Sequence, residues 1–212
     1  MKPIHTVALI GGTGKAGKYL LKQLLLQNFR VKLLHRKPET LRLNNPLIEV
    51  IKGDARDHHA IDMLLKGCDA VLSCLSQPVG EPTIFSDAAR NILQAMGKHK
   101  ISRYITTAGL NVDTPTDKKS ATTQFGTKWM YENFPLTTKD RQVEYELLAE
   151  SDTDWTMVRL PLIEQTDRIS EVNVSLTDCS GNNISATNLA LFMIAQLTSE
   201  DFARQAPFIA DK

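Results

Sequence analysis

The chain has 212 residues, of which 42% are hydrophobic and 23% are charged. These proportions are ordinary for a globular protein, and the length fits one α/β domain over residues 1–212. The formal net charge of +1 excludes the basic excess of general nucleic-acid binders, so we expect no nucleic-acid partner. No apolar run approaches the roughly 18 residues that a membrane span needs, so we expect no membrane partner.

The three cysteines, Cys68, Cys74 and Cys179, lack the spacing of a metal site. An odd number of thiols fits a reducing compartment better than a disulfide framework. The first residues lead directly into a predicted strand without a signal-peptide pattern. We therefore expect a cytoplasmic protein that holds no metal.

A glycine-rich turn follows the first predicted strand. Val7–Ile10 is an apolar run typical of a buried parallel strand, and residues 19–27 favour a helix. Between them, Gly12, Gly14 and Gly17 have the spacing of a dinucleotide-binding motif. Such a turn lets the backbone approach a pyrophosphate closely, and the helix start offers unpaired N–H groups to that anion.

The same residues allow two other interpretations. Gly12, Gly17 and Lys18 nearly match a phosphate-binding P-loop, but that motif requires Ser or Thr where this chain has Tyr19. The turn also fits an ordinary glycine-rich connection without a ligand. The glycine pattern therefore favours a dinucleotide site without deciding it.

Strands and helices alternate along the rest of the chain. This alternation is typical of a single Rossmann domain, in which helices cover both faces of a doubly wound parallel sheet. The further predicted strands cover residues 29–34, 48–52, 70–75, 103–107, 154–159 and 171–176, and the predicted helices cover residues 60–66, 84–98, 139–151 and 186–197.

Residues 111–138 interrupt this alternation. The segment is rich in Thr, Asp and Lys, and it contains two prolines and isolated aromatic residues such as Phe125 and Trp129. We expect an irregular insertion over the active-site cleft, because ligands bind outside the carboxyl ends of parallel strands. The alternative is a surface loop with a short helix near residues 128–132.

The residues at the end of the second strand favour NADP over NAD. Domains that bind NAD usually carry Asp or Glu about 20 residues after the glycines, whereas this chain has His35, Arg36 and Lys37. A carboxylate there would repel a 2′-phosphate, and a guanidinium can bind one through two hydrogen bonds. We therefore expect NADPH as the cofactor, with NAD less favoured. The alternative is that Arg36 and Lys37 are solvated loop charges.

Asp54 follows the third predicted strand, where the adenine of a dinucleotide would lie. Its carboxylate could accept a hydrogen bond from the exocyclic amine, with the backbone of Ala55 alongside. The alternative is that Asp54 caps the following helix.

Motifs along most of the chain match those of one family. They are Ile10–Gly17, Val31–Arg36, Gly53–Asp54, Asp69–Val71, Ala88–Ile92, Arg103–Ile105, Glu150–Ser151, Asp154–Arg159 and Asn188–Ala190. In these motifs the chain resembles atypical short-chain dehydrogenases/reductases with NmrA-like domains, and among them the biliverdin-IXβ reductase/flavin reductase branch. The resemblance implies a sheet with strand order 3-2-1-4-5-6-7.

The resemblance also implies where the coenzyme would bind. The pyrophosphate would lie on the glycine-rich turn, the 2′-phosphate on Arg36, and the nicotinamide half along the ends of strands 4, 5 and 6. The implied cofactor-binding residues are Gly11, Gly12, Thr13, Gly14, Lys15, Ala16, Gly17, Arg36, Asp54, Ala55, Leu75, Ser76, Gln77, Thr106, Pro161, Leu162 and Ile163.

Two departures from the family pattern bear on catalysis. The family uses a Tyr-x-x-x-Lys pair, but neither Tyr131 nor Tyr145 is followed by Lys at that spacing. The flavin-reductase branch has a serine after strand 5, where this chain has Gly109. Thr107 is the nearest hydroxyl and is therefore the catalytic candidate; the alternative is that it only binds cofactor.

These patterns support three hypotheses. The first is a reductase, a monomer or weak homodimer, that passes a hydride from NADPH to a planar acceptor such as a flavin, a biliverdin-like tetrapyrrole or a quinone. The second is a non-catalytic NADP(H)-binding redox sensor that acts on a protein partner through residues 111–138. The third is a sugar- or quinone-acting enzyme of the same superfamily.

Overall fold

The computed structural model describes residues 3–76 and 83–212. Within those ranges, none of the helices has both the length and the apolar content to cross a membrane. The elements are β1 (Thr6–Ile10), α1 (Gly17–Leu26), β2 (Arg30–His35), β3 (Ile48–Lys52), α2 (His58–Leu65), β4 (Ala70–Ser73), α3 (Ile84–His99), β5 (Arg103–Gly109), α4 (Ala121–Asn133), α5 (Pro135–Glu150), β6 (Asp154–Leu160), β7 (Leu162–Glu164), β8 (Val172–Ser175), β9 (Asn183–Ser185), α6 (Ala186–Ala195) and β10 (Phe208–Asp211).

Eight strands form one sheet in the order β3-β2-β1-β4-β5-β6-β10-β8. Neighbouring strands are parallel except for β10 and β8, which are antiparallel. This confirms the doubly wound sheet and the implied order of the first six strands. The seventh predicted strand, residues 171–176, corresponds to β8 at the edge of the sheet, and β10, which was not predicted, lies between β6 and β8. The order reverses at β1, and such a reversal opens a crevice at the carboxyl ends of the strands.

Each face of the sheet has its own hydrophobic core. Alternate residues of β1 point to opposite faces: Val7 and Leu9 pack with α1 and α6, whereas Ala8 and Ile10 pack with α2 and α3. Trp155 of β6 belongs to the second of these cores and is 3% exposed. Because helices cover both faces, the carboxyl edge of the sheet is left for a ligand.

Helix α4 occupies much of the segment that we expected to be irregular. Ser120 caps it by accepting a hydrogen bond from the backbone N–H of Thr123. Within α4, all of which the structure describes, Thr123 is the one buried residue, while Phe125 and Trp129 are 71% and 47% exposed. The prediction of an irregular insertion is wrong here, because a helix that buries almost nothing shows no helical periodicity of apolar residues.

Residues 110–119, between β5 and α4, are held in place by charged side chains. Arg159 of β6 is fully buried, and its Nη1 donates to the two carboxylate oxygens of Asp117 at 2.7 and 2.8 Å. The same nitrogen donates to the carbonyl oxygen of Val112 at 3.1 Å. The Nζ of Lys119 donates to that carbonyl too, also at 3.1 Å. The chain after β5 is therefore fixed to β6 through side chains.

Candidate functional site

Three glycines build the turn between β1 and α1 under different steric constraints. Gly11 has φ +75°, and a Cβ there would lie 2.6 Å from the carbonyl oxygen of Cys74. A Cβ on Gly17 would overlap the carbonyl oxygen of Gly11. Gly14 donates its backbone N–H to that oxygen at 3.0 Å, and a Cβ on Gly14 would meet it at 3.3 Å. Gly11 and Gly17 thus let strand and helix approach, whereas a Cβ on Gly14 would require only a small shift of the Gly11 carbonyl oxygen.

Helix α1 starts without a side-chain cap. Its N-cap residue, Ala16, makes no side-chain hydrogen bond, and the first turn contains no acidic residue. The N–H groups of Lys18 and Tyr19 donate to the carbonyl oxygens of Gly14 and Ala16. The helix start therefore attracts an anion mainly through the positive end of the helix dipole, with Thr13 and Lys15 exposed beside it. Tyr19, where a P-loop needs Ser or Thr, packs against the core instead. The turn therefore fits the pyrophosphate of a dinucleotide better than the magnesium-bound phosphates of a P-loop protein.

A cleft of about 630 Å³ extends from this turn across the ends of β2, β3 and β4. Gly12, Lys15, Ala16 and Gly17 shape the turn without appearing in the cleft lining, and Gln77 lies outside the described residues. The expected cofactor-binding residues that line the cleft are Gly11, Thr13, Gly14, Arg36, Asp54, Ala55, Leu75 and Ser76. No cofactor contact was predicted for the other lining residues, which are Ile10, Leu34, His35, Lys37, Thr40, Gly53 and Ile84.

Basic residues gather at the corner of the cleft beyond β2. Arg36 and Lys37 line this corner together with Thr40 and Asp54. Asp54 Oδ1 accepts hydrogen bonds from the backbone N–H of Arg56 at 2.9 Å and from its Nε at 3.1 Å. Burial works to raise the pKa of Asp54, but the hydrogen bonds from Arg56 and the positive charges nearby hold that pKa below its usual value. The corner therefore pairs an ionised carboxylate with cations that a 2′-phosphate can contact.

Gly53, for which the sequence predicted no role of its own, shapes the same corner. A Cβ on Gly53 would overlap the side chain of Ala60, so β3 and α2 can meet closely only because residue 53 is glycine. Helix α2 is capped by Asp57, which accepts from the backbone N–H of His59 at 2.9 Å. The alternative role of Asp54 as the helix cap is therefore wrong, and Asp54 lines the cleft.

The two threonines of β5 lie deeper than expected. Thr106 is fully buried, and its hydroxyl donates to Glu144 Oε1 at 3.2 Å. The hydroxyl of Thr106 thus points into the protein, contrary to the cofactor contact that we expected from this side chain. Thr107 is 8% exposed, and the described lining of the 630 Å³ cleft includes neither threonine.

The chain after β6 exposes apolar side chains. Pro161 separates β6 from β7, a short strand that pairs with β9 in a separate two-stranded sheet. Leu162 is 78% exposed and Ile163 is 37% exposed. These residues lie outside the described lining of the cleft, at the end of β6 where the nicotinamide was expected.

Arg141 is a cation beside the end of β4 that no sequence pattern predicted. Arg141 of α5 donates from Nη2 to the carbonyl oxygen of Leu75 at 2.6 Å, so it braces a wall of the cleft from inside the protein. Arg141 and Glu144 are three residues apart on α5, a spacing that fits an exposed ion pair as well as a buried one. No local pattern therefore indicates that Arg141 is buried.

A comparison with known proteins decides the family. The family model described as NAD(P)H-binding matches residues 11–200, a range that includes the glycine-rich turn and most of the described cleft lining. The chain belongs to the NAD(P)H-binding family. The glycines, the uncapped helix start and the cleft are therefore those of an NAD(P)H-binding protein.

A curated protein is similar in sequence to part of this chain. Averufin oxidase A of Aspergillus flavus is 31% identical to it over 112 residues. The aligned region covers 46% of this chain and 39% of that relative. The chain thus matches well under half of the relative's length.

Solved structures of low sequence identity share the fold. A short-chain dehydrogenase/reductase from Veillonella parvula in complex with NADP has a TM-score of 0.80 and 17% identity, over 99% of this chain and 95% of that chain. A Rossmann-fold NAD(P)-binding family protein from Shigella flexneri has a TM-score of 0.74 and 19% identity, over 99% and 94% of the two chains. At these identities the likeness supports the fold alone.

Proposed function

We propose that this chain is an NADPH-dependent reductase that passes a hydride to a planar acceptor such as a flavin, a biliverdin-like tetrapyrrole or a quinone. One observation carries the proposal: a single cleft extends from the glycine-rich turn before α1, at Gly11, Thr13 and Gly14, to the basic corner at Arg36. Membership of the NAD(P)H-binding family supports it, and one structural neighbour was solved with NADP. The curated relative is named as an oxidase, which fits redox chemistry.

In this proposal the protein mainly binds and orients. The backbone N–H groups around Gly14 hold the pyrophosphate, while Arg36 and Lys37 hold the 2′-phosphate. Asp54 accepts a hydrogen bond from the adenine, and Leu75 and Ser76 border the nicotinamide half. A bound nicotinamide supplies the hydride, and solvent can supply the proton, so proximity and orientation are the main contribution of the chain.

We place the acceptor above the ends of β5 and β6. The exposed apolar side chains of Leu162 and Ile163 follow β6, and the exposed Phe125 and Trp129 lie on α4. Thr127 of α4 donates from its hydroxyl to the carbonyl oxygen of Leu110 at 3.1 Å, which attaches this helix to the end of β5. Such surfaces suit a flat conjugated acceptor, as the resemblance to flavin and biliverdin reductases implies.

Replacing Arg36 should separate the two coenzymes. We expect Arg36→Ala to weaken NADPH binding by about tenfold to a hundredfold, the value of one or two hydrogen bonds to a charged group. NADH lacks the 2′-phosphate, so its affinity should change by less than about threefold on the same scale. Calorimetric titration of both coenzymes measures the difference.

Arg30→Ala is the matched control for this experiment. Arg30 is the first residue of β2, whereas Arg36 directly follows the last. Loss of the exposed Arg30 therefore removes an equal charge at the end of β2 that lies away from the cleft. It should leave both affinities unchanged. Equal losses for NADPH and NADH in Arg36→Ala would contradict the assignment of Arg36.

Thr107 is our proposed catalytic residue. The isosteric Thr107→Val should lower kcat at saturating NADPH by up to about tenfold. The loss is limited because solvent can also supply the proton that Thr107 would donate. The dissociation constant for NADPH should stay within about twofold, because valine keeps the shape of threonine and Thr107 is proposed to act on the proton rather than to hold the coenzyme. Stopped-flow oxidation of NADPH measures kcat, and an unchanged kcat would remove Thr107 from the reaction.

A redox sensor is the second candidate. The chain lacks the Tyr-x-x-x-Lys pair, Thr107 is nearly buried, and α4 exposes aromatic side chains that a protein partner could cover. Oxidation of NADPH with FMN, riboflavin or a quinone would support the reductase. Tight binding of NADPH without reduction of any of these acceptors would support the sensor.

A further inference from the structure

Helix α5 brings three charged side chains into the interior. Asp140, Arg141 and Glu144 are 6%, 8% and 3% exposed. The Nη1 of Arg141 donates to Glu144 Oε2 at 2.5 Å, and the other oxygen of Glu144 accepts from Thr106. Burial raises the pKa of Glu144, an effect that the charge and hydrogen bond of Arg141 oppose. Buried charges need such partners, so Arg141, Glu144 and Thr106 form one network, which Asp140 extends at Phe85.

The network holds the chain at the start of α3. Asp140 accepts from the backbone N–H of Phe85 at 2.8 Å and from that of Ser86 at 3.3 Å. The guanidinium carbon of Arg141 lies 3.3 Å from the centre of the Phe85 ring. Ile84, the residue before Phe85, lines the cleft. Helix α5 therefore fixes the first turn of α3 beside the proposed coenzyme site.

The network also holds the end of β4. Arg141 Nη2 donates to the Leu75 carbonyl oxygen, and both Leu75 and Ser76 line the cleft. In a planar trans peptide, the carbonyl of one residue and the N–H of the next point in opposite directions. Fixing the Leu75 carbonyl toward Arg141 therefore also fixes the direction of the Ser76 N–H, away from α5.

We infer that Arg141 is a positioning residue that orients the nicotinamide half of the coenzyme through Leu75 and Ser76, an inference that rests on the proposed function. Arg141 contacts Leu75 after β4 and Phe85 at the start of α3, and it reaches Thr106 of β5 through Glu144. An apolar pair of similar volume can replace a buried ion pair without loss of stability, so the pair does not need to be charged for the chain to fold. What an apolar pair cannot supply is the hydrogen bond to the Leu75 carbonyl.

The decisive variant combines Arg141→Met with Glu144→Leu. It removes the hydrogen bond to Leu75 together with both charges of the buried pair, while Asp140 keeps its hydrogen bonds from the backbone N–H groups of Phe85 and Ser86. The two probes are NADPH and 2′,5′-ADP, which contains the adenine and the 2′-phosphate but no nicotinamide. The affinity for 2′,5′-ADP should stay within about twofold of the wild-type value. The affinity for NADPH should fall at least about fivefold, as expected for one lost hydrogen bond. We also expect kcat to fall about tenfold.

Two further variants complete the test. Arg141→Lys keeps the charge but lacks the two-nitrogen fork, so it should give an intermediate loss of NADPH affinity and provides the same comparison if the double variant does not fold. Arg90→Met removes an exposed arginine of α3 and should match the wild type. An unchanged ratio of NADPH to 2′,5′-ADP affinity in folded Arg141 variants would overturn the inference. Failure of the wild type to bind 2′,5′-ADP would instead overturn the proposed function.

Discussion

We expect Gly14→Val to abolish binding of NADPH and NADH while the chain stays folded. The backbone of Gly14 lies outside the left-handed region, and its Cβ would meet only the Gly11 carbonyl oxygen, at 3.3 Å. The isopropyl group would instead fill the space that the phosphates need. We expect both dissociation constants to rise more than about a hundredfold, or about 2.7 kcal/mol.

Calorimetry measures these affinities, and circular dichroism during heating checks the fold. Gly97→Val is the matched control, because a Cβ at this exposed position of α3 meets no described atom within 4 Å. It should leave both affinities unchanged. Normal coenzyme binding by Gly14→Val would remove the pyrophosphate from the turn.

Gly17→Ala should destabilise the fold, whereas Gly14→Val should block coenzyme binding. Its Cβ would overlap the backbone of Gly11, which a flexible side chain cannot relieve. We expect a loss of about 1–3 kcal/mol or more in the free energy of unfolding, as for other overpacked sites. Urea unfolding of the two glycine variants therefore separates the role of Gly17 in the fold from the role of Gly14 in the site.

The largest expected loss of stability comes from Asp117→Ala. This change would leave the guanidinium of Arg159, which is 0% exposed, without its anionic partner. Removing one partner of a buried ion pair costs about 3–5 kcal/mol. Since domains of this kind are stable by about 5–15 kcal/mol, urea unfolding should show a much lower midpoint.

A double variant tests the cause of that loss. Asp117→Leu combined with Arg159→Met removes both charges and should recover much of the stability. Glu132→Ala breaks an exposed pair with Lys128 on α4 and should stay within about 0.5 kcal/mol of the wild type. A loss below about 1 kcal/mol in Asp117→Ala would show that Arg159 does not depend on this carboxylate.

The sequence predicted the features that local patterns encode. The apolar run before Gly11 and the alternation of strands and helices predicted the sheet, because burial on both faces leaves a direct trace in composition. The turn predicted the start of α1 within two residues. Arg36 could be placed beside the cleft because the end of β2 has a fixed place in a doubly wound sheet.

Features that depend on distant contacts could not be predicted in this way. Asp117 and Arg159 are 42 residues apart, and nothing near either residue indicates that they meet. The charges at 140, 141 and 144 suit the outer face of a helix as well as a buried network. Thr106 and Thr107 are neighbours on β5 and point to opposite faces of the sheet, and only the distant Glu144 of α5 determines what the Thr106 hydroxyl contacts.

The two tryptophans of the chain differ in their access to solvent, so their fluorescence gives two separate signals. Trp129 on α4 is about half exposed, whereas Trp155 is buried in β6 against the ring of Tyr145. Iodide should quench the emission of Trp129 and leave that of Trp155 largely unaffected. An acceptor or partner that covers α4 would then reduce the quenching of Trp129 by iodide, so its binding could be detected without a label and without turnover.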